Sequence, residues 1–258
     1  MPALLATEHP DALTVTFAGV SAELPKPAGL EAEFERLGAL FDALRADGVA
    51  EVVLAGGLSR PALDPSRLDE KTLRLAPRLM SAMGGGDDGL LRVAIEALED
   101  EGFAVRGAHE LLPTLTAAPG LLAGPEPGED DLADAERARK ILDALGPLDI
   151  GQGAVVAGGI CLGIETIQGT DALLNFVAWT APERRPVARG VLAKAPKPGQ
   201  DLRVDMPAIG PATVERAAEA GLAGIAFAAG RTLLLEREEL RAAAEDAGLF
   251  LYAEAWPE

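Results

Sequence analysis

Two carboxylates, Asp201 and Asp205, stand four residues apart in the stretch KAPKPGQDLRVDMPAIGP, residues 194–211, beside Lys194, Lys197 and Arg203. Carboxylate oxygens suit Mg2+ or Mn2+, which are commonly held by one or two such groups together with substrate phosphates and water. The chemistry that fits is hydrolysis of a phosphoryl or diphosphate group. With Arg189 nearby, four cations face two carboxylates, a local positive surplus in a chain of formal net charge −18. Pro196, Pro198, Pro207 and Pro211 remove backbone donors and fix φ, so the stretch reads as a braced loop with at most a short strand at LRVDM. In a strand the four-residue spacing puts both carboxylates on one face, whereas in a loop it fixes nothing.

Further polar residues recur beside glycine or glutamine: Asp149 and Gln152 in LDIGQG, Glu165, Gly169, Thr170 and Asp171 in GIETIQGTD, and Gln200 in GQD. Each has an ordinary role open to it. Asp149 could close a turn, Asp171 or Thr170 could cap a helix, and Glu165 could pair with a nearby cation. Other chemistries lack their groups. Two histidines, His9 and His109, are too few for a histidine metal cage or a convincing triad and read as structural or exposed. The single cysteine, Cys161, lies in the apolar run AVVAGGICLGI and reads as a buried thiol, with neither a disulfide nor a thiolate metal site available. AGVSAELP stands where a dinucleotide-binding Gly-x-Gly-x-x-Gly would follow the first strand, and no phosphate-binding Gly-Lys-Ser/Thr occurs.

The elements that must position these residues alternate. ALTVTFAG reads as a strand, EAEFERLGALFDALRADG as a helix with a glycine stop, and AEVVLAGG as a second strand, together a βαβ unit. Helices follow in DEKTLRLAPRLMSAMG and in DDGLLRVAIEALEDEG, which Asp87 and Asp88 open, and then the strand FAVRGAHE. An open parallel sheet with flanking helices, Rossmann-like, is the economical architecture for this half. AAPGLLAGPEPGEDD marks a boundary near residue 130, which divides the chain into a Rossmann-like N-terminal domain, 1–132, and a distinct α/β C-terminal domain, 133–258, carrying most of the candidate residues. In the second domain QGAVVAGGICLGIE is a strand pair or a bent strand, GTDALLNFVAW a helix, RGVLAK a strand, ATVERAAEAG a helix and LAGIAFAAG a strand.

Composition narrows the function classes. At 258 residues, 48% hydrophobic and 25% charged, the chain can bury a sizeable core. Its acidity and its 4% aromatic content argue against general nucleic-acid binding, which needs a basic face and stacking platforms. Neither a secretory signal pattern nor a run of about 20 apolar residues is present, so a cytoplasmic location is the expectation.

The succession LDIGQGAVV, GIETIQGTDALL, GVLAKAPKPGQDLRVDMPAIGPATVERAAEAGLAGIAFAAG and GLF resembles the UDP-2,3-diacylglucosamine diphosphatases of the LpxI type, which act in lipid A biosynthesis. Weaker similarity runs upstream through GGLSRPAL, GGGDDGLLRVAIEALEDEGF and HELLPTL. The resemblance implies Mg2+-dependent hydrolysis of UDP-2,3-diacylglucosamine to UMP and 2,3-diacylglucosamine 1-phosphate, by water directed to the sugar-side phosphorus, with substrate held between two domains. It also implies roles. Lys194, Lys197 and Arg203 would neutralise the diphosphate, Asp201 and Asp205 would hold metal or orient water, and Gln200 and Gln152 would assist orientation. Glu165, Gly169, Thr170 and Asp171 would complete a polar wall.

Two departures stand out: GVSAELP keeps Gly19, Leu24 and Pro25 but not the family's glycine cluster, and Asn175 and Phe176 occupy positions where an arginine commonly follows Gly-Thr-Asp. A weakened relative that binds nucleotide or acylated sugar without turnover, and a Rossmann-type oxidoreductase, are the alternatives. The implied partner is an acylated UDP-sugar, with a homodimer open. In the absence of a strongly basic amphipathic helix, contact with the inner membrane would be at most transient and peripheral.

Overall fold

The computed structural model describes residues 1–20, 24–57, 63–83, 87–187 and 189–257. Parts of GVSAELP (21–23), GGLSRPAL (58–62) and GGGDD (84–86) therefore lie outside the described residues. The chain forms two compact units, Met1–Leu112 with Arg203–Asp205, and Pro113–Leu202 with Met206–Glu258. The division falls at Leu112/Pro113.

In the first unit a short helix, α1 (Pro2–Glu8), precedes β1 (Val15–Phe17), whose parallel partner is β2 (Leu30–Ala32). The helix expected from residue 31 thus begins later, as α2 (Leu37–Ala46), because its first residues are drawn into strand pairing and a 3-10 turn. β3 (Glu51–Val53) is followed by α3 (Glu70–Met83), α4 (Asp87–Asp100), β4 (Ala104–Arg106) and α5 (Ala108–Leu111). β3 and β4 form a second parallel pair. Among the described residues these strands make two separate two-stranded sheets, not the single open parallel sheet expected. Phe41 and Leu44, one turn apart on α2, meet Ile95 and Leu98 of α4 and Phe103 and Val105 around β4, and Val204 joins this core.

In the second unit β5 (Gly120–Ala123) and α6 (Glu129–Leu145) lead into the hairpin β6 (Gly153–Ala157) and β7 (Ile160–Ile164). Then come α7 (Gly169–Ala178), β8 (Val191–Lys194), β9 (Ala208–Ile209), α8 (Pro211–Glu219), β10 (Gly224–Ala228), β11 (Leu233–Leu234), α9 (Arg237–Ala247) and β12 (Phe250–Glu254). Among the described residues six strands form one mixed sheet in the order β5-β12-β10-β8-β6-β7. β8, β10 and β12 are parallel, while β5, β6 and β7 each run antiparallel to the neighbour that joins them. GLLA, inside the segment read as a domain boundary, is the edge strand β5.

Side chains alternate across this sheet with period two. Val155, Leu192, Ile225, Phe227 and Leu251 face α7, α8 and α9, whereas Ala154, Val156, Ala193 and Ala226 face Ala135, Ala138 and Leu142 of α6. Burial on both faces is why these strands read as unbroken apolar runs. The β6–β7 turn is pinned by buried Asp134 of α6, whose carboxylate accepts the N–H groups of Gly158 and Gly159 at 2.8 and 2.7 Å. Leu162 has no direct partner on β6, since Val155 pairs with Gly163 and Val156 with Cys161, so β7 carries a bulge there. Cys161 is exposed on this edge strand, not buried as expected, because β7 has no neighbour on its outer side among the described residues.

Just past α4, Glu101 receives hydrogen bonds from Lys71 and Arg45. The Lys71 bond is the largest cause holding its carboxyl below the ordinary glutamate value, with Arg45 adding to it and partial burial opposing it. A depressed folded-state pKa gives stability that is fully present above the unfolded value of about 4.3 and is lost as pH falls through the folded value. Urea titrations of Glu101→Gln should therefore show a loss of about 1–3 kcal/mol at pH 7, narrowing toward zero below pH 4. A deficit independent of pH would sink the ion-pair account.

Candidate functional site

The polar centre of the second unit is built where β8 ends. Lys194 pairs in register with Gly153 of β6 and carries its ammonium into the interior, with only 4% of its side chain exposed. A buried ammonium must be neutralised and hydrogen-bonded. Here Nζ donates to Glu165 Oε2 at 2.9 Å and to Thr170 Oγ1 at 2.7 Å, and Thr170 Oγ1 donates in turn to the same Glu165 oxygen at 2.9 Å. The three groups close a ring contributed by β8, the end of β7 and the first turn of α7.

The glycines of LDIGQG are required by this ring. Gly151 has φ +56°, and a Cβ there would stand 2.0 Å from the Glu165 carbonyl oxygen; a Cβ on Gly153 would stand 2.4 Å from Glu165 Oε2. The backbone seals the arrangement, since Glu165 N–H donates to the Gly153 carbonyl at 2.7 Å and Ala195 N–H to the Gln152 carbonyl at 3.0 Å. The Gln152 main chain is part of this seal.

The loop beyond Lys194 is braced from several sides. Pro198 lies against Gly146, the Gln200 side-chain carbonyl accepts the Lys197 N–H at 2.8 Å, and Lys197 Nζ pairs with Asp149, itself in the left-handed region at φ 56°. LRVDM contains no strand: Leu202–Val204 form a turn flanked by half-buried Asp201 and Asp205, and the short strand comes later, as β9 against β11. Asp201 is counted with the second unit, and Arg203 and Asp205 with the first, where Arg203 pairs with Glu99 at 2.7 Å. Pro211 opens α8.

Three cations expected to face substrate therefore each have a carboxylate of their own: Glu165 for Lys194, Asp149 for Lys197, and Glu99 for Arg203. Glu165 has the cationic partner that was one of its ordinary readings. Thr170 and Asp171 do not cap α7, whose N-cap is Gln168 with no side-chain capping bond; Gly169, at φ +83°, is the first helical residue. Asp171 instead lies 3.1 Å from Arg216 Nε of α8, and Arg216 also donates to Asn175 Oδ1 at 3.3 Å. Glu99 and Arg216 were missed by the sequence reading, since each sits on an amphipathic helix where one charge looks like any other. Among the described residues no three histidine, cysteine or carboxylate side chains gather as a metal cage.

The buried ring yields a stability cycle. Lys194→Met should cost about 3–5 kcal/mol because it leaves Glu165 buried without its cation. Adding Glu165→Gln should recover part of that loss, so that the double variant is more stable in chemical denaturation than the two single losses added together. Strict additivity would show that the groups are not coupled.

Comparison with known proteins extends over both units. A model of the LpxI N-terminal domain matches residues 4–115, and a model of the LpxI C-terminal domain matches residues 118–252. The chain is 45% identical over 232 residues to the UDP-2,3-diacylglucosamine pyrophosphatase LpxI of Caulobacter vibrioides, covering 88% of this chain and 82% of that protein. The resemblance carried by the motifs of the second half thus holds through both domains, and the chain belongs to the LpxI family.

Proposed function

We propose that this protein hydrolyses the diphosphate of UDP-2,3-diacylglucosamine, releasing UMP and 2,3-diacylglucosamine 1-phosphate in lipid A synthesis. The observation that carries the reading is the 45% identity, through both domains, to a relative named for this pyrophosphatase activity. The polar loops around β8 support it, because they combine cations for phosphate oxygens with carboxylates for water or metal.

Asp205 and Asp201 would hold Mg2+ or Mn2+. Two carboxylates suit a cation that completes its shell with phosphate oxygens and water. When bound, the cation neutralises charge on the diphosphate. The chain's own groups do the remaining work. Lys197 exchanges Asp149 for a phosphate oxygen, while the Gln200 and Gln152 side chains orient the attacking water. Lys194 acts chiefly by fixing Glu165 and Thr170, which with Gly169 and Asp171 form the polar wall against the sugar nucleotide. Arg203, tied to Glu99, sets the turn that presents Asp205.

Release of UMP from the diacylated substrate should need Mg2+ or Mn2+ and stop with EDTA, and UDP-glucose should be a poor substrate because it lacks the acyl chains whose binding orients the diphosphate. Full turnover in chelator would remove the metal, and equal kcat/KM for the two compounds would remove the lipid specificity.

Asp205→Asn keeps shape but removes the charge, so kcat should fall about 10²-fold or more while thermal stability is kept. If Asp205 only serves a surface ion pair, the same change costs about 0–1 kcal/mol of stability and leaves turnover near wild type.

A further inference from the structure

The C-terminal end of α4 carries carboxylates in succession, Glu99, Asp100 and Glu101, with no basic residue in its last turn. Unpaired carbonyl oxygens give that end of a helix partial negative charge, so anions there are unfavourable unless cations are brought to them. Each of these acids has such a cation. Arg78 of α3 donates to Asp100 at 2.9 Å, and Lys71 of α3 and Arg45 of α2 donate to Glu101, which ties α2 and α3 to the end of α4. The cation of Glu99 has a different origin. Arg203 stands 104 residues farther along the chain, and its Nη1 donates to Glu99 Oε1 at 2.7 Å and to the Val105 carbonyl of β4 at 3.4 Å. Val204, the next residue, packs on the core formed by Phe41, Leu98, Phe103 and Val105, and Asp205 follows it. A charged clamp and an apolar plug in consecutive residues thus seat the segment 203–205 on the corner between α4 and β4, while Leu202 and Met206 on either side are counted with the second unit.

We propose that Glu99 is a positioning residue for the hydrolytic reaction, fixing the place of Asp205 through Arg203. The proposal rests on the assignment of Asp205 to metal or water made above. An ion pair whose side chains are 33% and 44% exposed contributes little to stability, because solvent screens it and ordering two long side chains costs entropy. Its value is geometric. A guanidinium is a rigid planar fork, so acceptors at the Glu99 carboxylate and the Val105 carbonyl fix its orientation as well as its distance. Val204, held in the core, stops the segment from sliding. Asp205 is one peptide beyond Val204, so any shift of this seat passes to its carboxylate, and a displacement of about 1 Å at a reacting group can cost about 10²-fold in rate. Asp100 has no such reach, since its partner Arg78 belongs to α3, which carries none of the candidate residues. A purely structural role for Glu99 is the competing reading, under which the loss of Glu99 and the loss of Asp100 behave alike.

The test compares Glu99→Ala with Asp100→Ala in the full chain. Glu99→Ala should keep the melting temperature within about 2 °C of wild type, and should lower kcat for UMP release about tenfold with KM within about twofold, the pattern of a loss confined to the transition state. Asp100→Ala breaks a pair of the same kind in the same turn and should leave kcat near wild type. The exchanged pair, Glu99→Arg with Arg203→Glu, places a cation at the helix C-terminus and restores the clamp, so it should recover most of the lost kcat. Amide hydrogen exchange at Arg203–Asp205 should be about tenfold faster in Glu99→Ala and unchanged in Asp100→Ala. Wild-type kcat or unchanged amide exchange in Glu99→Ala, or equal effects of the two single variants, would overturn the proposal. So would failure of the exchanged pair to recover activity, which would show that Arg203 touches substrate itself. If wild type releases no UMP from the diacylated substrate, the substrate assignment fails separately, and amide exchange still decides whether Glu99 seats the segment.

Discussion

The second unit is organised around one requirement, that a lysine ammonium ending a central strand be neutralised out of contact with water. An isolated charge in that position would cost several kcal/mol, and Lys194 avoids this by engaging Glu165 and Thr170 at once. The consequences spread outward. Glu165 must lie directly over β6, which forces glycine at 151 and 153. α7 must start where Thr170 can reach the pair, which sets the length of the link from β7. The loop carrying Lys197 and Gln200 leaves from the same strand end, so its starting point is fixed by the same ring.

How far the sequence reveals this depends on range. β6, β8, α8 and β10 are legible because strands buried on both faces are continuous apolar runs and helices show one apolar stripe. The polar residues near the ring are legible as types, but their pairings are not. Glu165 and Lys194 are 29 residues apart, and nothing local says that one neutralises the other. The same holds for Arg203 and Glu99, whose meeting depends on the turn at 203–205 being counted with the first unit.

Errors in reading the elements have local causes. EAEF has helical composition yet supplies β2, because a parallel partner at Val15–Phe17 outweighs weak propensity. GLLAG looks like part of a domain boundary because Gly120 and Gly124 flank it, but its backbone pairs with β12. Cys161 sits in an apolar run that suggests burial, and only the strand order shows that β7 is at the margin of the sheet. The single parallel sheet expected of the N-terminal half is replaced by two short parallel pairs among the described strands. Strand signals fix direction along the chain far better than they fix which strands become neighbours.

The bulge at Leu162 bears on association between chains. β7 is an uncharged, partly apolar edge of five residues, and such edges usually recruit other chains unless something spoils their regularity. Here the spoiler is one surplus residue rather than a lysine or a proline. Loss of that one residue would straighten the strand and leave the sheet margin regular enough to pair with the edge of another chain.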